Sequence, residues 1–390
     1  MKRVLVLVTA SVLCTGAYAD FECANALPTI PRDRLSFREK NKLGYLDRDF
    51  KVAVPARYSY AGEYIDGRAW VGDSSKEAPK LIDKTGAVVF NAFIASNQWT
   101  YANVLIGPRV LGPSSDLVLL EVHGTEPENP GRTRYGFKDL KGAWRIDPDF
   151  DEAEPFSEGL AAVQIADPRD LMSSRAGYIR PDGTFAIAPT FKKASSFSEG
   201  LATVQTLEGS RGVIDKSGKL LFATAYESIG PFSEGLAAAK KGAANYVLVR
   251  QNGTLLPAPT LSFAKPFKQG LAAVQIGGRD KLSRFEPYNL EGGGWGYLNK
   301  KGEIAIAANF SWACDFSEGL AAVNIGAMND EAHTASGGKW GYVDESGALK
   351  IREQFSRADP FVDGIANVEI DGRDAYIDRT GRVLWRESKP

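Results

Sequence analysis

Gly212-Val213-Ile214-Asp215-Lys216-Ser217-Gly218-Lys219-Leu220-Leu221-Phe222, followed by Phe232-Ser233-Glu234-Gly235-Leu236-Ala237, decides the fold. The first part is a β-prone run, an Asp-x-x-Gly turn and a second apolar run. Asp opens such a turn through its side-chain acceptor, and the closing Gly takes a left-handed conformation that forms a bulge. The two residues between them are free to vary. The same turn recurs at Asp83 to Gly86, Asp344 to Gly347 and Asp378 to Gly381, and as Asn299 to Gly302.

This stretch is one copy of seven. Gly44 and Tyr64, Gly136 and Phe156, Gly177 and Phe197, and Gly212 and Phe232 are each 20 residues apart. So are Val247 and Phe267, Gly296 and Phe316, and Gly341 and Phe361. A constant internal offset beside variable outer spacing marks a tandem repeat. Hairpins near 44, 80, 136, 177, 212, 247, 296, 341 and 375 give about nine units, with 87–135 degenerate. The turn aromatics Tyr64, Phe156, Phe197, Phe232, Phe267, Phe316 and Phe361 are the expected core residues of the repeat. Tyr45, Tyr178, Tyr297, Tyr342 and Tyr376 should form a ladder beside them.

Between hairpin and second turn the spacing is aromatic, small residue three on, aromatic six on, as in Phe310, Ala313 and Phe316. Pro155, Pro231, Pro266 and Pro360 precede the second aromatic. The residue before proline avoids the α region, so this piece reads as an irregular crossover and not a helix. The Ser-Glu-Gly turn then places Gly159, Gly200, Gly235, Gly270 and Gly319 where positive φ is needed. Leu-Ala-x-Val follows as a third strand. A three-strand unit of about 35 residues cannot bury both faces alone and must stack on its neighbours. The fold class is all-β. Because propeller blades carry four strands, three-strand hairpin units favour an open, curved, solenoid-like array, with a closed propeller-like ring as the competitor.

At Lys339-Trp340-Gly341-Tyr342-Val343-Asp344 and Gly294-Trp295-Gly296-Tyr297-Leu298-Asn299 the chain resembles the bacterial WG-repeat (KWG-repeat) family. The Phe-Ser-Glu-Gly-Leu-Ala segment is intact at 156–161, 197–202, 232–237 and 316–321. The likeness covers 35–390, with departures: Trp is replaced before Gly44, Gly136, Gly177 and Gly212, and Val247 fills one Gly slot. The resemblance implies an exported or envelope-associated binding or scaffold protein. It carries over no catalytic residue and no cofactor.

Lys2 and Arg3, an apolar run from Val4 to Leu13, and Ala17-Tyr18-Ala19 read as a signal peptide over 1–19, cleaved after Ala19. The mature chain is then expected to be periplasmic or secreted. Residues 20–34 form an N-terminal extension before the repeat domain at 35–390. Cys14 lies in the signal peptide, with bulky Leu13 where lipid attachment normally wants a small residue. Of the remaining cysteines, Cys23 and Cys314 either pair in an oxidising compartment or leave Cys314 as a small buried thiol. With 47 basic and 48 acidic residues the chain is nearly neutral, which argues against nucleic acid as a partner.

A residue present in every copy serves the architecture, so function is sought where copies differ. The distance from turn aromatic to next Gly slot is 15 in the shortest repeats and grows to 29 from Phe267 to Gly296. The insertions Asp167–Arg175, Gly277–Gly293 and Gly326–Gly338, with the irregular Gly107–Arg134, are therefore expected on one binding edge. The partner is expected to be a protein or a cell-wall or envelope component. His123 and His333 have no ligand spacing, and Asp147-Pro148-Asp149 and Asn329-Asp330-Glu331 lack the alternation of a calcium loop. Glu158, Glu199, Glu234 and Glu318 could suggest the carboxylate pair of a hydrolase or lyase acting on an envelope polysaccharide. Their place in a recurring turn makes an architectural role the primary reading.

Overall fold

The computed structural model describes residues 34–64, 67–73, 79–91, 99–104, 117–124, 133–167, 170–242, 245–280, 290–291, 293–329 and 335–388. The chain divides into two compact units, whose described residues run 34–219 and 220–388. All regular structure among the described residues is β. The signal peptide, Cys23 and the N-terminal extension up to residue 33 lie outside the described residues.

Each of the nine expected hairpin strands is present, from Lys42–Leu46 to Arg373–Asp378. The building block, however, has four strands. In the second unit one sheet runs Trp312–Ala313, Leu320–Asn329, Ala335–Asp344 and Leu349–Phe355, all antiparallel and in chain order. The sheets that begin at Ser228, Phe263 and Arg357 repeat this plan. In the first unit the sheets that begin at Tyr60 and Glu152 do the same, while Leu35–Tyr58 forms a three-stranded sheet. These up-and-down, four-stranded sheets are the blades of a β-propeller. The open, curved array of three-strand hairpin units is thereby corrected.

The missing fourth strand is the small-residue step of the crossover. Trp312–Ala313 and its counterparts Tyr60–Ala61, Glu152–Ala153, Lys193–Ala194 and Arg357–Ala358 are two-residue inner strands. Two residues give no period for a sequence reading to detect. The degenerate stretch behaves likewise: Trp99–Val104 and Leu117–Gly124 pair with each other and then with Thr133–Asp139, supplying the first two strands of that blade.

The sequence repeat and the blade are out of phase. A hairpin supplies the third and outer strands of one blade, and the following Ser-Glu-Gly turn joins the inner and second strands of the next. The constant offset therefore bridges two blades. The Tyr178 hydroxyl donates to the Ser195 carbonyl at 2.8 Å, Tyr297 to Cys314 at 2.7 Å, and Tyr342 to Asp359 at 2.7 Å, each 17 residues on. Two residues further, the same rings meet the turn aromatic: Tyr178–Phe197 centroids are 4.7 Å apart, and Tyr297–Phe316 and Tyr342–Phe361 are 4.8 Å apart. Tyr45–Tyr64 and Phe137–Phe156 make the equivalent ring contact. Phe232 and Phe267, like the other turn aromatics, are buried.

The slot glycines have a different cause. A Cβ on Gly296 would stand 2.5 Å from the Ile306 carbonyl oxygen, and one on Gly341 2.7 Å from that of Ile351. Opposite each, the outer strand bulges: Trp295 and Tyr297 face Phe310 and Ile306. Val247 is accommodated by a larger bulge, since Tyr246 and Leu248 face Leu261 and Leu256, one residue further apart.

Turns of both kinds also staple neighbours. Glu158-Gly159, Glu234-Gly235 and Glu318-Gly319 all have positive φ, so the turn is a two-residue hairpin in which Glu as well as Gly is left-handed. Ser157 Oγ donates to the Phe197 carbonyl and Ser317 Oγ to that of Phe361. The Glu158 carboxylate accepts from the Gly200 amide at 3.0 Å and that of Glu318 from the Gly364 amide at 2.8 Å. In the Asp-x-x-Gly turns the Asp344 carboxylate accepts the Ser346 and Ala348 amides. The Ser346 hydroxyl, then Lys350, hold its pKa well below the usual carboxylate value. Gly347 and Gly381 sit where a Cβ would press within about 3 Å of Ile306 and Ile351 of the preceding blade.

Tyr342→Phe removes one donor and strands the buried Asp359 carbonyl; it is expected to cost about 1–3 kcal/mol in denaturant unfolding. Phe361→Ala should cost about 3–5 kcal/mol, and no change in either unfolding midpoint would refute the bridging role. Because the Asp344 carboxyl is depressed in the fold, its stabilisation is full above the unfolded Asp value of about 4 and is lost as pH falls through the folded value. Asp344→Asn, which copies Asn299, should melt less acid-sensitively than the parent between pH 7 and 2; parallel curves would refute this.

Candidate functional site

Within a blade the Ser-Glu-Gly turn and the Asp-x-x-Gly turn lie at the same end, because they join the first to the second and the third to the outer strand. The second-to-third connection lies at the opposite end. Here the repeats differ, and here the insertions lie. Ala161–Asp167 and Asp170–Ile179 extend as one hairpin to Asp167 and Asp170, so the 167–175 insertion is mostly strand. Of 107–134, the described parts are Leu117–Gly124 and the start of Thr133–Asp139, again as paired strands. Among the described residues the insertions lengthen the two middle strands.

In the second unit two such arms are built alike. Gly277 and Gly293 face each other where the blade ends, both with positive φ (80° and 77°). Arg279–Asp280 and Leu290–Glu291 continue beyond them in the same register as a separate two-stranded sheet. In the next blade Gly326 and Gly338 occupy the equivalent slots, with φ of 81° and 66°. A Cβ on Gly293 would meet the Gly278 nitrogen at 2.5 Å, and one on Gly338 the Ala327 nitrogen at 2.4 Å. Each arm thus leaves its blade through a cross-strand pair of left-handed glycines. Sequence reading placed these glycines at the insertion limits; their shared position six residues after Leu271 and Leu320 was the signal of a common device.

Between the roots of these arms lies a shallow pocket of about 340 Å³, lined by Gly293 and Gly294, the Ala308–Ser311 segment, and Ala327. No charged side chain lines it. Beneath this end of the unit runs an aromatic row, Tyr246, Phe263, Trp295 and Trp312, with successive centroids 5.2, 5.8 and 5.0 Å apart. The Lys265 ammonium, 2% exposed, lies 5.3 and 5.5 Å from the centroids of Trp295 and Trp312, where the ring faces offset its desolvation. Asn324, fully buried and paired in register with Trp312 and Trp340, has no hydrogen-bond partner for its side-chain amide among the described residues, nor has Trp312 Nε1.

The other candidates distribute as follows. The Glu158 carboxylate is committed to the Gly200 amide and to Lys216 at 3.0 Å. Burial raises its pKa, and the Lys216 and Gly200 hydrogen bonds outweigh that, leaving it lowered. Asp147 and Asp149 stand on the outer strand Trp144–Phe150. Asp330, Glu331 and His333 lie outside the described residues, and His123 is on the strand Leu117–Gly124. Among the described residues no group of three His, Cys, Asp or Glu side chains is placed to hold a metal, and no helix is long and apolar enough to cross a membrane.

The family described as "WG containing repeat" matches residues 44–74, 135–167, 177–208, 212–243, 248–279, 295–327 and 340–373, more than half of the chain. The chain belongs to the WG-repeat family. No curated protein matches it. Among solved structures, one described as a eukaryotic initiation factor is similar over 91% of this chain and 95% of its own, at 9% identity and a TM-score of 0.58, a likeness of fold. BamB from Moraxella catarrhalis aligns over 85% of this chain and 87% of its own, at 9% identity and a TM-score of 0.36. In WG-repeat terms, the naming Trp is Trp295 or Trp340, each buried at the arm-bearing end; the naming Gly admits the bulge.

Cys314 is fully buried and disulfide-bonded, and its carbonyl receives the Tyr297 hydroxyl. Non-reducing peptide mapping of the mature chain is expected to join the Cys314 peptide to that of Cys23. A Cys23 peptide recovered free would refute the pairing.

Proposed function

We propose that this WG-repeat protein is an exported, non-catalytic binding module that holds a protein or cell-envelope ligand at the arm-bearing ends of its blades. The observation that carries this reading is the pocket at the roots of the two arms, Gly277–Gly293 and Gly326–Gly338. The opposite ends of the blades are occupied by the staples of Ser157, Glu158, Ser317 and Glu318, and cannot vary without loosening the frame. The insertions read from the sequence fall where the second and third strands meet, and binding surfaces of repeat proteins collect at such places. The recurring carboxylates considered for glycan cleavage are turn residues, those of Glu158, Glu234 and Glu318 bonded to the next blade; a glycosidase needs a facing pair. The signal-peptide pattern at 1–19 supports export.

The last blade supplies the control for a test: it closes directly after Ile370 through the two-residue turn Asp371-Gly372, at the position where the two arms begin. Replacing 278–292 and 327–337 by short turns of this kind should leave thermal unfolding within a few degrees of the parent. Capture of ligands from envelope extract by the mature chain should then fall to background. Unchanged capture would refute the reading.

A further inference from the structure

We propose that the outer strand Ile304–Phe310 takes an additional β-strand from a partner, an uncharged extended peptide segment whose end enters the pocket between the arms. This rests on the reading above that the arm-bearing edge binds ligand, and it names the ligand's class. The strand is the last in its sheet, so among the described residues its outer edge has no partner strand. Ile304, Ala305, Ala307 and Asn309 are exposed on it.

What separates this edge from its siblings is the absence of protection. Exposed strand edges are normally blunted by proline, charge or shortness, because they offer unpaired amides and carbonyls to any other chain. Leu255–Leu261 carries Pro257 and Pro259, and Leu349–Phe355 carries Lys350, Arg352 and Glu353. In the first unit Val52–Tyr58 carries Pro55 and Arg57, and Phe185–Phe191 carries Pro189. Trp144–Phe150 holds Arg145, Asp147, Pro148 and Asp149, while Leu220–Thr224, Val88–Asn91 and Val383–Arg386 are short. Ile304–Phe310, Ile-Ala-Ile-Ala-Ala-Asn-Phe, is the seven-residue outer strand with neither proline nor charge.

The same strand runs into the pocket, which takes Ala308, Asn309, Phe310 and Ser311 as one wall. An added strand pairs through its main chain and gains selectivity from a side-chain pocket beside the edge. Charge narrows the occupant further. Neither the strand nor the pocket wall carries an ionisable group, so a charged residue docked there would lose hydration without a counter-charge. Seven residues span about 23 Å, room for a segment of five to seven residues.

The test uses the mature chain and a fluorescein-labelled, acetylated heptapeptide of alternating threonine and valine, read by anisotropy. The control peptide is methylated on alternate backbone nitrogens. Ala305→Lys with Ala307→Arg copies Lys350 and Arg352 at the same strand positions of the next blade, so this variant is expected to keep the parent's melting temperature. The plain peptide should bind the parent, and methylation or the double substitution should each weaken binding at least about tenfold. Absence of binding by the plain peptide, or equal binding by parent and variant, would overturn the proposal. So would soluble peptidoglycan fragments that displace the peptide from the parent and bind parent and variant alike, which assigns the pocket to a saccharide. Concentration-dependent dimerisation abolished by the double substitution would instead assign the edge to a second copy. Retained capture by the arm-shortened protein defeats the functional reading itself; lost capture there, with unchanged capture by the double variant, defeats only the peptide edge.

Discussion

The structure depends on one contact made across two blades. A tyrosine on the third strand of one blade reaches the chain 17 residues later with its hydroxyl and the turn aromatic 19 residues later with its ring. Both partners belong to the next blade. The intervening loop cannot gain or lose a residue without parting either the hydrogen bond or the rings. Burial raises the Tyr297 hydroxyl pKa far above its usual value, with Asp315 adding to the effect, so the group stays a neutral donor at any physiological pH. The constant 20-residue spacing accompanies this contact, and it is kept also where Phe137, Val213 and Leu248 stand in the tyrosine's place.

The staple turns follow from the same phase shift. A turn that joins the inner and second strands of a blade presents its Ser and Glu to the next turn along, and the Ser hydroxyl and Glu carboxylate satisfy a carbonyl and an amide there. Gln269 does this in place of Glu, accepting from the Gly319 amide at 2.9 Å. The substitution shows that the chain needs an acceptor of that length and not a negative charge.

Much of this was legible in the sequence: the β class, the nine hairpins, the positive φ of the turn glycines, and the aromatic core. The blade was not. Its inner strand is two residues long, and in four copies a Pro two residues on, Pro155, Pro231, Pro266 and Pro360, made the segment read as a crossover. The repeat that the eye aligns is cut across the blade, so three strands were counted where four exist. The insertions were located correctly, yet their form as strand extensions was hidden because Asp167–Arg175 and Gly326–Gly338 have no apolar alternation to announce strands.

Two opposed demands explain why the candidate site lies where it does. The Ser-Glu-Gly turns at 157–159, 233–235 and 317–319 have partners in the neighbouring blade, so a residue changed there is felt twice. At the other end a blade can close at once, as Asp371-Gly372 does, or carry its middle strands onward. Carrying them onward straight would leave two long ribbons as continuations of their sheets. The paired left-handed glycines stand at one equivalent position, 277 with 293 and 326 with 338; beyond the first pair the strands continue as a separate two-stranded sheet, beyond the second as part of the blade's own sheet. Glycine is needed there twice over, for its dihedral and for the neighbouring backbone less than 3 Å from a Cβ at Gly293 and Gly338. The gap left between the two departures is the pocket, and it opens onto the one long outer strand among the described residues that has no charge or proline to keep another chain away.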